Sequence, residues 1–261
     1  MALFHSTRSG RKRRGGAPDV EIAHGETIVS GAGEEVWNWS SPVGQVRLGK
    51  RIDLFCRSLG LDREKKRVLE LGCGTGLYTR EIAPFSTELV ALDISDALLT
   101  EAKRKLSNGS VRFVRQNLER IEPELVGSGF TAAFGCSVLH HLDLDQTLPQ
   151  LRNVLSPGAD VAFSEPNLLN PHVRLIFSRF EWPRRRWGAS KTEMAFYPWE
   201  LKSIFRRHGF DVVEFFCYDF MHPAIPARLV GIARSVDRFL ERTPLVRLLG
   251  GSCFIHARAP R

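Results

Sequence analysis

Three glycines at alternate positions, Gly72, Gly74 and Gly76, follow an apolar segment at residues 67–71. Glycine lets the backbone adopt a positive φ angle and approach a ligand without an intervening Cβ atom. A helix-like segment begins at Leu77, so the glycines lie between a strand and a helix. In open α/β folds such a loop lies at the carboxyl edge of a parallel sheet, where nucleotides bind. The pattern therefore predicts a nucleotide-binding loop.

The spacing of these glycines discriminates between nucleotides. A dinucleotide-binding loop has the pattern Gly-x-Gly-x-x-Gly, whereas Leu77 occupies the position of its third glycine here. A Walker-type loop needs Gly-Lys-Ser/Thr, and no lysine follows these glycines. Glu70, just ahead of the first glycine, would repel a pyrophosphate but suits a cationic ligand. The loop therefore favours a cationic ligand, and a nicotinamide-binding oxidoreductase is an alternative that the spacing disfavours.

Residues 70–76, which read Glu-x-Gly-x-Gly-x-Gly, resemble motif I of the class I methyltransferases, which bind S-adenosylmethionine. The sulfonium and ammonium groups of that cofactor fit an acidic edge better than a phosphate does. A second strand, at residues 88–92, ends in Asp93, where the resemblance implies an acceptor for both ribose hydroxyls. Ile94 beside it would offer an apolar face to the adenine.

Two later motifs continue the resemblance in the order of the family. A third strand, at residues 111–115, is followed by Asn117 and Leu118. Family members often carry Asp where Asn117 keeps an acceptor oxygen for the adenine amino group. Residues 130–142 look like motif IV of the small-molecule, type 11/12-like branch and include Cys136. The resemblance implies the following cofactor-binding residues: Glu70, Gly72, Gly74, Gly76, Asp93, Ile94, Asn117, Leu118 and Cys136.

Helix-capping residues and the resemblance together predict the helices and strands that hold these site residues. Ser41 and Pro42 predict a capped helix that runs to about Leu59. The resemblance, which covers roughly residues 45–217, implies an α/β fold: a three-layer, Rossmann-like, seven-stranded sheet with an N-terminal helix and two lid-like insertions. Residues 25–261 are accordingly predicted to form one methyltransferase domain.

Composition and charge place the chain in an ordinary globular class. Its 261 residues are 43% hydrophobic and 25% charged, as expected of a globular domain. Of the net charge of +8, five charges come from Arg8 and residues 11–14, and residues 1–24 are predicted to be a disordered basic tail. Five scattered cysteines disfavour a disulfide framework and a zinc site, and no metal is predicted. With no long apolar run, a cytoplasmic location without a transmembrane span is expected.

Two insertions, at residues 168–196 and 221–251, interrupt the regular alternation and are predicted to determine substrate specificity. The second contains a candidate helix, residues 226–242, with arginines between apolar residues at helical spacing. We interpret it as a lid packed on the core. A membrane-surface helix, a site for a lipid-like substrate and a homodimer contact are the alternatives. Trp37 or Trp39 could also close over the cofactor. The first insertion carries large apolar residues interleaved with arginines: Phe177, Phe180, Trp182, Trp187, Met194, Phe196, Arg174, Arg179, Arg184, Arg185 and Arg186.

Nucleic acid is disfavoured as the methyl acceptor, although bases could stack on the aromatic residues and phosphates could pair with the arginines. Enzymes that methylate exocyclic base amines usually carry Asn/Asp-Pro-Pro-Tyr after the fourth strand, where this chain has Gly-Cys-Ser-Val at residues 135–138. A Pro-Cys dipeptide for cytosine C5 chemistry does not occur. We therefore predict transfer of a methyl group to an O, N or C atom of a small molecule; an anionic acceptor, a hydrophobic or lipid-like one and a secondary metabolite are the candidates. An RNA or protein methyltransferase and a non-catalytic, cofactor-binding subunit are the alternatives.

An oxygen or carbon acceptor would need a base near the methyl group. His140 and His141 follow the fourth strand, on the edge that should face the methionine end of the cofactor. Histidine titrates near neutrality, so His141 is the predicted catalytic base and His140 the second candidate. His222 and Tyr197, in or beside the insertions, are the next candidates for the base after these two histidines.

Overall fold

The computed structural model describes residues 18–29, 38–106, 111–178 and 195–261. Within them helices and strands alternate, and 3₁₀ turns occupy Ala83–Phe85, Leu139–His141, Ala227–Leu229 and Val246–Leu249. The strands are β1 (Lys66–Leu71), β2 (Ser86–Asp93), β3 (Val111–Arg115), β4 (Phe130–Cys136), β5 (Leu155–Pro166), β6 (Asp211–Tyr218) and β7 (Ser252–Arg258). The helices are α1 (Pro18–Thr27), α2 (Pro42–Ser58), α3 (Leu77–Ile82), α4 (Asp96–Lys105), α5 (Pro123–Val126), α6 (Leu144–Val154), α7 (Pro171–Ile176), α8 (Pro198–Arg207) and α9 (Val230–Arg242).

The strands form one seven-stranded sheet in the order β3-β2-β1-β4-β5-β7-β6. Strands β1 to β5 pair in parallel, and β7 runs antiparallel to both β5 and β6. Parallel strands need crossover connections, which place helices on the sheet faces and the carboxyl ends of the strands at one edge. The predicted α/β, Rossmann-like, seven-stranded fold is confirmed.

Helices cover both faces of the sheet and bury the central strands. On one face Phe55 of α2 packs with Val68 and Phe134. On the other face Leu148 of α6 and Phe205 of α8 pack with Leu69 and Val90 in a second apolar cluster. Successive residues of a strand point to opposite faces, so Val68 and Leu69 contribute to different layers. The sheet is thus the middle layer of three.

The capping signals predicted for α2 are confirmed. Ser41 has an extended backbone, and its hydroxyl accepts a hydrogen bond from the backbone N–H of Gly44 at 3.1 Å. Pro42 occupies the first helical position, where its missing N–H costs nothing. Gly60 follows the helix with φ of 68°, the left-handed conformation that commonly ends helices.

Two elements differ from the sequence predictions. Helix α1 begins at Pro18, so residues 18–24 of the predicted basic tail are helical, and the rest of that tail lies outside the described residues. Helix α7 occupies part of the first insertion, where Asn170 Oδ1 accepts from two backbone N–H groups and thereby caps it. Trp37 and residues 179–194, which carry most of the aromatic and basic mixture, also lie outside the described residues. Among the described helices, none is long and apolar enough to cross a bilayer.

Candidate active site

The glycine loop between β1 and α3 has open space at its centre. Gly72, Gly74 and Gly76 have φ of 66°, 54° and 81°, which favour glycine at all three positions. A Cβ atom on Gly72 would overlap the Val138 side chain, and one on Gly76 would lie 2.9 Å from Leu106 Cδ1. A Cβ atom on Gly74 would meet no atom within 4 Å. The outer glycines are therefore needed for packing, whereas the middle one leaves room beside the backbone.

This difference predicts that alanine will affect the two glycines unequally. Gly72→Ala should lower the free energy of unfolding by about 1–3 kcal/mol through overpacking against Val138, in addition to strain at positive φ. Gly74→Ala should cost only about 1–2 kcal/mol, from the strain alone. Urea unfolding of both variants measures the difference. Equal losses would show that the space beside Gly74 is not open.

Asp93 joins the glycine loop to the end of β2. Its Oδ2 accepts from the Gly74 N–H and its Oδ1 from the Ser95 N–H, each at 2.9 Å. Burial raises the pKa of Asp93, although the backbone N–H groups of Ser95, Gly74 and Ile94 oppose the rise. A carboxylate has about four lone-pair sites, so two hydrogen bonds leave acceptor capacity. Ile94 is half-buried beside it.

Glu70 is a buried carboxyl group beneath the loop. The residue is 2% exposed, and its Oε2 atom has no hydrogen-bond partner within the described part of the chain. Burial raises the pKa of Glu70 to about 8; the nearby Thr79 hydroxyl opposes the rise and Asp93 adds to it. An unpartnered buried oxygen costs free energy that a donor or a cation could recover. The site thus has an acceptor in need of a partner.

The remaining predicted cofactor residues lie at the same edge of the sheet. Asn117 Oδ1 accepts from the Glu119 N–H at 2.9 Å, so the oxygen predicted to bind an adenine amino group already closes a local turn. Leu118 is buried in the core. Cys136 ends β4, and burial raises the pKa of its thiol, which keeps it neutral. Asn117 therefore has less acceptor capacity for a ligand than its sequence position implied.

A buried glutamate orders the loop after β4. Glu165 Oε1 accepts from the N–H groups of Val138 and Leu139 at 3.0 and 2.9 Å, and its Oε2 lies 2.8 Å from His140 Nδ1. Ser137 precedes them with φ of 55°, a strained value for a residue with a side chain. Glu165 is 1% exposed, so His140 is tied into an interior network. Glu165 is not among the site residues predicted from the sequence.

His141 pairs with a glutamate of α1. Its Nδ1 lies 2.8 Å from Glu21 Oε2, and its ring centroid is 4.2 Å from that of His140. Burial raises the pKa of Glu21, but the hydrogen bond to His141 and the charges of His141, His24 and His140 outweigh it and lower the pKa overall. Glu21 lies in the predicted tail and was not a predicted site residue. Pro18 followed by acidic residues in the first turn is the helix-start signal that could have found it.

Helix α1 also packs against the start of α4. A Cβ atom on Gly25 would overlap the side chain of Ser95, which is two residues from Asp93. Because Ser95 and His141 follow the carboxyl ends of β2 and β4, α1 lies across the edge that carries the glycine loop. The structure thus brings the loop, Asp93 and the histidine pair under one helix.

Two buried arginines form the adjoining wall. Arg47 and Arg51 of α2 donate to Asp219 Oδ2 at 3.1 and 2.6 Å, and their guanidinium carbons lie 5.0 and 5.3 Å from the ring centroid of Trp39. Burial acts to raise the pKa of Asp219, but the two arginines outweigh this effect and lower the pKa to about 2. Arg47 Nη1 and Arg51 Nε have no hydrogen-bond partner within the described part of the chain. Trp39 also contacts Tyr78 of α3, with centroids 6.3 Å apart.

The other predicted base candidates are not part of the His140–His141 pair. Burial and the charges of His172 and Arg47 lower the pKa of His222, which therefore lies near the arginine wall. The His222 ring lies 4.8 Å from that of His172, which joins the two insertions, and its Nδ1 accepts from the Ala224 N–H. Tyr197 precedes α8 and stacks on Trp199 with centroids 4.9 Å apart. Over residues 18–29, 38–106, 111–178 and 195–261, no group of three or more His, Cys, Asp or Glu side chains could hold a metal ion.

Comparison with known sequences identifies the segment that carries the loop. Residues 69–161 match the sequence model of a family described as Methyltransferase domain. An uncharacterized methyltransferase of Mycobacterium tuberculosis is 32% identical over 107 residues, which cover 40% of this chain and 53% of that protein. The chain thus spans about half the length of the curated relatives it matches first. A malonyl-[acyl-carrier protein] O-methyltransferase of Ilyobacter polytropus is 26% identical over 46% of this chain and 44% of its own length.

Comparison with solved structures extends the fold to nearly the whole chain. The N-methyltransferase NodS of Bradyrhizobium japonicum, solved with S-adenosyl-L-homocysteine, has a TM-score of 0.60 and 16% identity over 93% of this chain and 100% of its own. The [4+2]-cyclase SpnF has a TM-score of 0.66 and 17% identity over 97% of this chain and 99% of its own. At these identities the likeness concerns the fold, which hosts more than one kind of chemistry.

Proposed function

We propose that this chain, whose domain sequence and fold are those of the class I S-adenosylmethionine-dependent methyltransferases, transfers the cofactor's methyl group to a small-molecule acceptor. The family predicted from the sequence is thereby confirmed. The observation that carries the proposal is the space beside Gly74, bounded by Asp93 and lying above the unpartnered Oε2 of Glu70.

The residues around that space fit the cofactor by their chemistry. Glu70 offers a buried acceptor to a cationic group, and Asp93 keeps acceptor capacity for ribose hydroxyls. Gly74 allows the backbone to approach the ligand. Bound there, S-adenosylmethionine supplies an already activated methyl group, so the protein has to orient the acceptor and exclude water.

We assign the acceptor side to the wall of Trp39, Arg47 and Arg51. The two unpartnered guanidinium nitrogens suit an anionic group, either the carboxylate of the cofactor or an acid group of the acceptor. The indole of Trp39 adds an apolar surface for a hydrophobic acceptor. An acceptor with an apolar body and an acidic end would satisfy both features.

His141 is the proposed general base, and Glu21 positions it. The 2.8 Å contact of Nδ1 with the Glu21 carboxylate favours the ring proton on Nδ1 and thereby the basic lone pair on Nε2. For a hydroxyl acceptor, Nε2 of His141 would take the hydroxyl proton as the oxygen gains the methyl group; the bond from that methyl to the cofactor's sulfur would break, and S-adenosylhomocysteine would be the leaving group. Glu21 would hold the ring in place and stabilise the resulting imidazolium.

Calorimetric titration of the full chain tests the cofactor assignment. We expect binding of S-adenosylmethionine and S-adenosylhomocysteine in the micromolar range and no response to NAD. Tight binding of NAD without a response to either sulfur nucleotide would overturn the proposal. A radiolabelled-methyl assay on cell extract, fractionated into RNA, protein, lipid and small molecules, then identifies the acceptor. Label in RNA or protein would contradict the small-molecule assignment, and binding without transfer would favour the non-catalytic subunit.

Cofactor affinity should rise with pH through the titration of Glu70. Its pKa of about 8 leaves the free carboxyl mostly protonated at pH 6, whereas a cationic ligand prefers the ionised form. Affinity for S-adenosylmethionine should therefore increase roughly tenfold or more from pH 6 to 8. Calorimetry across this range measures the slope. Glu70→Gln should bind weakly with a flatter profile, and an unchanged slope in that variant would assign the dependence to another group.

Asp93→Ala should weaken cofactor binding by about 1–3 kcal/mol through lost charge-assisted hydrogen bonds. Part of this loss would come through the loop, because Asp93 also holds the Gly74 N–H. Asp96→Ala is the matched control, since its carboxylate is exposed and pairs with Arg115. Unchanged affinity in the Asp93 variant would refute the ribose role.

A further inference from the structure

Helix α9 attaches to the body of the protein through acidic side chains. Asp237 accepts from Lys50 Nζ and from the Phe220 N–H, both at 2.7 Å. Glu241 pairs with Lys50 and accepts from the Asp219 N–H at 2.8 Å. Both acids of the helix therefore point inward, where a surface helix usually places its apolar residues.

The apolar face of α9 points outward instead. Ile232, Val236 and Phe239, spaced by four and three residues, share one face and are 66%, 48% and 68% exposed. The stripe begins one turn earlier at Leu229, which is 42% exposed. The 3₁₀ segment at Val246–Leu249 contacts α9. This segment and the residue before it carry three further exposed leucines, Leu245, Leu248 and Leu249. Helix α9 thus contacts the body of the protein, as the lid interpretation expects, but these apolar residues do not make that contact.

Arginines flank the exposed stripe. With Asp237 and Glu241 turned inward, the outer charges of the segment are all positive. Four arginines, spaced along one side of the helix and just ahead of it, share this flank. These residues are Arg228, Arg234, Arg238 and Arg242.

We propose that this outward face of α9 docks on an anionic lipid surface. A helix with an apolar face and flanking arginines lies in the plane of a membrane interface, where its apolar side chains enter the acyl boundary and its cations meet anionic headgroups. A second copy of the chain fits less well, since a two-fold contact presents the same patch to itself, and the acids of this helix are turned inward and cannot pair with the partner's arginines. The positive charge beside the apolar stripe of α9 therefore favours an anionic lipid surface over a second copy of the chain.

Co-sedimentation of the full chain with lipid vesicles tests this docking. Vesicles of phosphatidylcholine alone are compared with vesicles that contain phosphatidylglycerol, at low and high salt. We expect binding to the anionic vesicles that high salt weakens. Phe239→Glu should reduce this binding more than about tenfold, since it replaces a buried apolar contact by a like-charged group. Leu125→Glu, at a 55% exposed leucine of α5, is the matched control and should bind as the unaltered chain does.

The arginines provide a second, independent variant. Arg238→Gln should weaken binding to anionic vesicles about fivefold, because each cation near such a surface contributes about that factor, and it should leave binding to neutral vesicles unchanged. Arg63→Gln, at an exposed arginine after α2, is its control. Thermal melting of every variant, and Ile232→Glu as a replacement for Phe239→Glu, separate lost docking from lost folding.

Several outcomes would overturn the proposal. They are the absence of vesicle binding, equal binding to neutral and anionic vesicles, and equal losses in the Leu125 and Phe239 variants. A dimer that Phe239→Glu dissociates without any vesicle binding would assign the face to self-association instead. Methyl transfer is not measured in these experiments, so their failure leaves the proposed catalytic function standing.

Discussion

Asp219→Ala should lower the free energy of unfolding by about 3–5 kcal/mol. The substitution leaves Arg47 and Arg51 buried without their shared anion, and both side chains are at most 7% exposed. Removing one partner of a buried ion pair costs far more than the pair contributes, because the remaining charges lose their compensation. Urea denaturation measures the loss, which should correspond to a decrease in Tm of roughly 6–20 °C.

Asp145→Ala is the matched control for this variant. Asp145 pairs with Arg207 at 2.6 Å, but the two side chains are 59% and 56% exposed, so water screens the pair. Asp145→Ala should lower the free energy of unfolding by less than about 1 kcal/mol. Equal effects of the two substitutions would contradict the buried ion cluster.

Acid titration provides a further test of Asp219. Its folded pKa of about 2 lies below the ordinary value of 3.8, so its contribution is complete above pH 4 and is lost as the pH falls towards 2. The Asp219→Ala variant should therefore lose less stability than the unaltered chain over that interval.

His141→Ala should reduce turnover about 10²- to 10⁴-fold for an oxygen or carbon acceptor, the range typical of a lost general base. Cofactor affinity should change little, because the proposed role of His141 is toward the acceptor. Glu21→Gln should reduce turnover less and shift the pH profile, since the ring keeps a hydrogen-bond acceptor at Nδ1 but loses the negative charge that favours its protonated form. Steady-state kinetics on the identified acceptor, with calorimetry for the cofactor, measures both effects.

His208→Ala is the control for this pair. His208 ends α8 and hydrogen-bonds Asp145, and neither residue belongs to the proposed site, so turnover should be unchanged. Normal turnover in the His141 variant would make that residue structural. Loss of cofactor affinity in step with turnover would instead indicate that the histidine pair shapes the binding site.

Much of the scaffold was predictable because its signals are local. Ser41 and Pro42 mark the start of α2, Ser95 caps α4, and strand β3 was predicted with its observed bounds. These features depend on the backbone preferences of a few neighbouring residues. Helix α1 was missed because a short helix among polar residues carries little apolar periodicity, and its partners lie far along the chain.

The glycine loop, the acid after β2 and the α/β class could all be inferred from the amino-acid sequence, because each depends on residue types at short, fixed spacing. The long-range contacts became visible only in the folded chain. The fold joined Glu21 to His141, and it turned the acids of α9 inward and the apolar residues outward. Such pairings require the sheet to bring distant segments to one edge. Burial then sets the charge of groups such as Glu70, a property that residue type alone does not specify.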